Sequence, residues 1–104
     1  MARRWGTGFT GLTEQIRRRR IKVSVAAWAY ENGHKPIMTD AAYDKLSKVV
    51  YQERNIATGN NRLDRFFRQH FDPSTGLWVY KHPNPRALET IYARYYQKRR
   101  RKRR

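Results

Sequence analysis

Lys98-Arg99-Arg100-Arg101-Lys102-Arg103-Arg104 is an unbroken run of cations. Arg3-Arg4 and Arg17-Arg18-Arg19-Arg20 with Lys22 make two further clusters. Guanidinium and ammonium groups at this density do one kind of chemistry well. They bind phosphate, by charge-assisted hydrogen bonds and by releasing condensed counterions. The formal net charge is +16 over 104 residues. Self-repulsion of that size opposes a compact fold, so it points to a polyanionic partner. Nucleic acid, an anionic membrane surface and an acidic protein are the classes that fit. Four consecutive helical residues span about 300° of a helix surface. Arg17 to Arg20 therefore form a belt, and one of them must lie near the apolar side with its stem snorkelling.

Other chemistries are poorly supplied. No nucleophile–base pair or metal constellation is legible, so the reading is non-enzymatic, with no cofactor and no metal. His34, His70 and His82 are widely separated, and there is no Cys. Disulfides and thiolate zinc sites are thereby excluded. The missing Cys fits a reducing compartment, with a cytoplasmic location expected. In a eukaryotic setting the tail would read as a nuclear import signal. No apolar stretch approaches membrane-spanning length, and no apolar core follows Arg3-Arg4 to make a secretory signal.

Stepwise periodicity sets the elements that must carry these groups. One small, mainly α domain of about four helices is expected, with one short extended segment. Residues 1–12 read as a Gly-rich, aromatic arm and 98–104 as a basic tail, leaving 13–97 as the domain. Thr13 reads as an N-cap, and Ile16, Val23, Ala27 and Tyr30 share one side of the first helix. Asn32-Gly33 stops it, with Gly33 left-handed. Thr39 caps a second helix, with Met38 and Tyr43 placed as a hydrophobic staple. Leu63, Phe66, Phe67, His70 and Phe71 form the stripe of a third helix. Leu77-Trp78-Val79-Tyr80 is strand-like but too short to build a sheet. Asn84 as N-cap and Pro85 at the first helical position open a fourth helix. Its stripe is Leu88, Ile91, Tyr92, Tyr95 and Tyr96. Three Trp, seven Tyr and four Phe supply much of a core whose apolar fraction is only 38%.

The segment from Tyr30 to Leu46, YENGHKPIMTDAAYDKL, resembles the small N-terminal helical domain of bacterial NAD-dependent DNA ligases. Asp40-Ala41-Ala42-Tyr43-Asp44-Lys45-Leu46 matches that family's Asp-Ala-x-Tyr-Asp-x-Leu helix start, and Tyr30 falls at its Tyr. The resemblance implies that Tyr30, Asp40, Tyr43 and Asp44 grip a nicotinamide mononucleotide. Asp40, Tyr43 and Asp44 fall at i, i+3 and i+4, on one face of a first helical turn. Glu31 stands where the family has His, and no Lys-x-Asp-Gly sequence for nucleotidyl transfer occurs. Structural roles for the four residues, as first-turn acids and a staple, are the more common use of such a pattern.

The expected function is backbone binding of nucleic acid, DNA in preference to RNA, through Arg3, Arg4, Arg17 to Arg20, Lys22 and Lys98 to Arg104. Base-reading motifs are missing: no zinc finger, zipper heptad or RNA-recognition signature. The first two helices only loosely mimic a helix-turn-helix, and the second starts acidic. Trp5 and Phe9, or Trp78 and Tyr80, could stack on single-stranded bases, although core packing is the commoner use of a Trp such as Trp78. Two alternatives stand beside this. One is an accessory protein, resembling bacteriophage-encoded ones, that binds a partner DNA-processing enzyme. The other is a nicotinamide-nucleotide binder.

Overall fold

A computed structural model describes residues 8–97; Arg3, Arg4, Trp5 and Lys98 to Arg104 lie outside the described residues. Helix α1, Gly8–Glu31, is the central element. It packs against α2 (Asp40–Gln52), against α4 (Pro85–Tyr92) and against a 3₁₀ turn at Leu77–Lys81. Helix α3 spans Asn61–His70, and α4 runs on into a π turn at Ala93–Gln97. Val23 to Ala27 and Ala29 are all buried, so this half of α1 is covered nearly all round, as a helix surrounded by its neighbours must be. Its small side chains allow close approach: a Cβ built at Gly76 would stand 3.6 Å from Ala27 Cβ.

The helix ends follow the local signals. Gly33 adopts φ +74°, its N–H donates to Tyr30 O at 3.2 Å, and His34 N–H donates to Ala29 O at 2.8 Å. That pair of bonds is a Schellman stop, which needs a residue tolerant of the left-handed region. Thr39, Asn60 and Asn84 each accept a hydrogen bond from the third residue onward, capping α2, α3 and α4. Pro85 opens α4, where its missing N–H leaves no bond unmade.

Phe66, Phe67, Phe71 and Trp78 form the aromatic centre, with Phe71 and Trp78 ring centroids 4.7 Å apart at 65°. Edge-to-face contact of this kind satisfies the ring quadrupoles. Val23, Val25, Val50, Leu88 and Tyr92 close the core around it.

Three local expectations are corrected. First, α1 begins at Gly8, so Thr13 lies inside the helix and Gly11 is helical. Glycine in a helix costs about 1 kcal/mol, which the rest of a long helix outweighs. Second, Leu77–Lys81 coils instead of extending. Val79 N–H bonds Gly76 O at 3.1 Å and His82 N–H bonds Val79 O at 3.0 Å. Adjacent Trp78 and Val79 are buried while Leu77 and Tyr80 are exposed, a pattern that alternating strand faces cannot produce. Third, Tyr95 is exposed, because the wider π turn rotates it off the stripe of Leu88 and Tyr92.

Candidate nucleic-acid interface

The four arginines of α1 divide by depth. Arg18 is exposed and pairs with Glu14 at 3.2 Å, one turn away. Such a surface pair is weak and easily exchanged for a phosphate. Arg17 is exposed too, with its guanidinium donating to Thr58 O. Arg19 is half-buried, and its Nε donates to Glu53 at 3.0 Å. Hydrogen bonding to Glu53 raises its pKa further above the usual guanidinium range. Lys22 is exposed and shares a shallow hollow with Arg18, Ile21 and Tyr96.

Arg20 corrects the expectation that all four grip phosphate. It is 4% exposed, and the charged head is buried with the stem. Nη1 donates to Asp64 Oδ1 at 2.8 Å, while Nη2 donates to Glu53 O and Ile56 O, each at 3.0 Å. The guanidinium carbon stands 5.2 Å from the Phe67 ring centroid. Asp64, 5% exposed, also accepts from Thr58 N–H at 2.9 Å and Thr58 Oγ1 at 2.7 Å. Burial pushes the Asp64 carboxyl up, but the Thr58 bonds and Arg20 outweigh it and hold the carboxyl below the usual range. A buried charge persists only when it is paired and bonded in this way. Arg20 therefore fixes the 53–58 loop and α3 to α1.

That loop opens onto a cavity of about 780 Å³ between α1 and the starts of α3 and α4. Arg17, Arg62, Asn60, Asn61, His82 and Asn84 belong to its polar lining, and Ile21, Leu63, Ile91 and Pro83 to its apolar lining. No carboxylate lines it. His82 Nδ1 accepts from Asn84 N–H at 2.9 Å, and burial pushes the imidazole pKa down to about 4. Neutral His82 therefore carries its proton on Nε2. No single segment announces this cavity in the sequence. Its cations come from separate helices, and only the Asn residues before α3 and α4 stand out locally.

A second cavity, about 350 Å³, brings together Tyr30, Asp40, Tyr43 and Asp44. Met38, Pro36, Pro73 and Gly76 complete its wall. Tyr30 stands out into solvent, and Asp44 pairs with Lys48 at 3.3 Å. Tyr43 is half-buried, its hydroxyl donates to Thr75 O at 3.4 Å, and burial raises its pKa. The two cavities thus carry opposite charge.

Among the described residues, no helix is long and apolar enough to cross a membrane. The architecture and its basic surface define a small, mainly helical, cationic domain. Comparisons with protein-family models, curated proteins and solved structures give no match.

Proposed function

We propose that the chain is a non-enzymatic nucleic-acid-binding protein that grips the phosphate backbone of DNA, in preference to RNA, with little sequence selectivity. One observation carries this reading: the charge excess survives internal pairing. All eight acids lie within 8–97, where only Arg18, Arg19, Arg20 and Lys48 are ion-paired among the described residues. Lys22, Arg62, Arg65, Arg68 and Arg86 are exposed with no ion pair, and the terminal run adds cations with no acid nearby in sequence. Phosphate contacts position a protein without reading bases, and the sequence carries no recognised base-reading motif. The test is affinity for several unrelated duplexes across a salt series. Engaging 6–10 phosphates predicts a loss of about 10³–10⁵ in affinity between about 50 and 200 mM salt. A flat salt response, or a preference above about a thousandfold for one duplex, sinks the reading.

A second reading is favoured by one observation, the convergence of Tyr30, Asp40, Tyr43 and Asp44 on one cavity. Acids and aromatic rings suit a cationic ring with ribose hydroxyls, so nicotinamide mononucleotide is the ligand to test. The Asp44–Lys48 pair and the Tyr43–Thr75 bond account for two of the four without any ligand. The structural roles therefore lead, and titration with nicotinamide mononucleotide is expected to leave the NMR spectrum unchanged. Saturable shifts centred on Tyr30 and Asp40, lost in Asp44→Asn, would reverse that order.

A further inference from the structure

The larger cavity is built differently from the rest of the basic surface. Lys48, Arg65, Arg68 and Arg86 are exposed on their helices and line none of the cavities described above. Here Arg17 and Arg62 stand on the wall of one concavity. Arg17 spends one donor on Thr58 O, and a guanidinium has five. Arg62 has no ion pair among the described residues. The neighbouring polar groups also offer mostly donors. Asn60 and Asn84 use their side-chain oxygens to accept from Leu63 N–H and Ala87 N–H, so their Nδ2 groups remain. His82 presents Nε2–H, since its Nδ1 is taken by Asn84 N–H. Donors and cations without a carboxylate suit an anion rich in acceptor oxygens, which is what a phosphate is.

The same cavity also has an apolar lining. Ile21 is 45% exposed, and Leu63, Ile91 and Pro83 are half-buried. An anion alone has no use for apolar lining, whereas a nucleotide has both a phosphate and a flat, weakly polar base. The volume falls within the range of small-ligand sites, roughly 300–1,000 Å³. A duplex presents its phosphates on a convex surface with its bases stacked inside, so it cannot fill such a concavity. An unpaired strand can, since its bases are free to leave the stack.

We propose that the cavity between α1, α3 and α4 seats one nucleotide unit of a single-stranded nucleic acid, with Arg17 and Arg62 on its phosphate and the aliphatic lining against its base. The inference rests on the nucleic-acid reading above and adds to it a strand preference and a defined seat. The flanking exposed cations and the basic tail act on the backbone of either form. The cavity acts on the single strand.

Fluorescence anisotropy with a labelled 12-residue oligothymidylate and with a 12-base-pair duplex tests this on the full chain. Arg17→Gln/Arg62→Gln should weaken the single strand at least tenfold and shallow its salt slope by about 0.7, the value for one phosphate on a single strand. The duplex should lose less than threefold. Lys45→Gln/Lys81→Gln removes the same charge from exposed positions outside the cavity and should weaken neither probe more than threefold. Because Arg17 also holds the 58 loop, Arg62→Gln alone is the safeguard variant, with an expected single-strand loss of at least threefold. Equal losses from the cavity and control variants, or a duplex loss matching the single-strand loss, overturn the seat while leaving backbone binding standing. Tighter binding of thymidine monophosphate than of the oligonucleotide makes a free nucleotide the source of the phosphate and overturns the strand assignment. Failure of the unmodified chain to bind either nucleic acid removes the functional reading itself, and the seat with it.

Discussion

Asp64→Asn should destabilise the fold by about 3–5 kcal/mol, the cost of leaving a buried charge without its partner. The asparagine keeps the shape but has one oxygen for the two acceptor positions, so the loss combines the uncompensated charge on Arg20 with a donor from Arg20 or Thr58 left facing Nδ2. Total stability for a chain of this size is about 5–15 kcal/mol, so the variant should be close to unfolding. Urea denaturation gives the measurement, and a cost below about 1 kcal/mol would show that Arg20 finds water or another acceptor. Arg20→Met/Asp64→Leu should recover part of the loss, since apolar replacement of a buried pair is often tolerated. Recovery should be incomplete, because Glu53 O, Ile56 O and Thr58 would each lose a partner. The same network predicts acid sensitivity. Asp64 has a folded pKa below its unfolded value, so its contribution is present above the unfolded carboxylate pKa, about 3.9, and is lost as pH falls through the folded value. His82, depressed from 6.5 to about 4, opposes protonation, so stability should already decline as pH drops from 6.5 toward 4. Protonation there also removes the acceptor that Asn84 N–H uses.

Much of the helical frame was legible because its signals are local. Thr39, Asn60 and Asn84 cap where they stand, and Gly33 stops α1 by a conformation other residues resist. Leu77 to Tyr80 was not legible for the opposite reason. A run of β-prone residues extends only if a neighbouring strand pairs with it, and none of the described elements is a strand. The Arg20–Asp64 pair shows what could have been seen. Arg20 follows Ile16 by four and precedes Val23 by three, so it falls on the core stripe of α1. Asp64 precedes Phe67 by three and Phe71 by seven, so it falls on the core stripe of α3. Two opposite charges on two buried stripes must either meet or not be buried. Their separation of 44 residues hides which outcome holds until the helices are packed. The larger cavity is long-range in the same way, drawing on positions 17, 60–62 and 82–84. The acidic cavity was easier, since three of its four singled-out residues lie within one helical turn.

Removal of Lys98 to Arg104 should leave the helical frame intact and weaken nucleic-acid binding by orders of magnitude. The run has no apolar side chain to bury and no acid to pair with nearby in sequence, so the core around Phe67 and Trp78 loses nothing that this composition could supply. Binding loses far more. If the run engages about five phosphates on a duplex, the slope of log affinity against log salt should shallow by about 4 to 5 units. Over a fourfold change in salt, from about 50 to 200 mM, a slope change of that size corresponds to a factor on the order of 500 in salt sensitivity. The truncated chain should therefore be weak at low salt and only mildly weaker at high salt, with circular dichroism unchanged and the urea midpoint no lower, since removing like charge relieves self-repulsion. The single-strand preference assigned to the cavity should survive truncation, because Arg17 and Arg62 belong to the folded frame and the tail makes no distinction between strand forms. Unchanged duplex affinity after truncation would move the backbone grip to the exposed cations of α1 and α3, with Arg18, Lys22, Arg65 and Arg68 the next positions to neutralise.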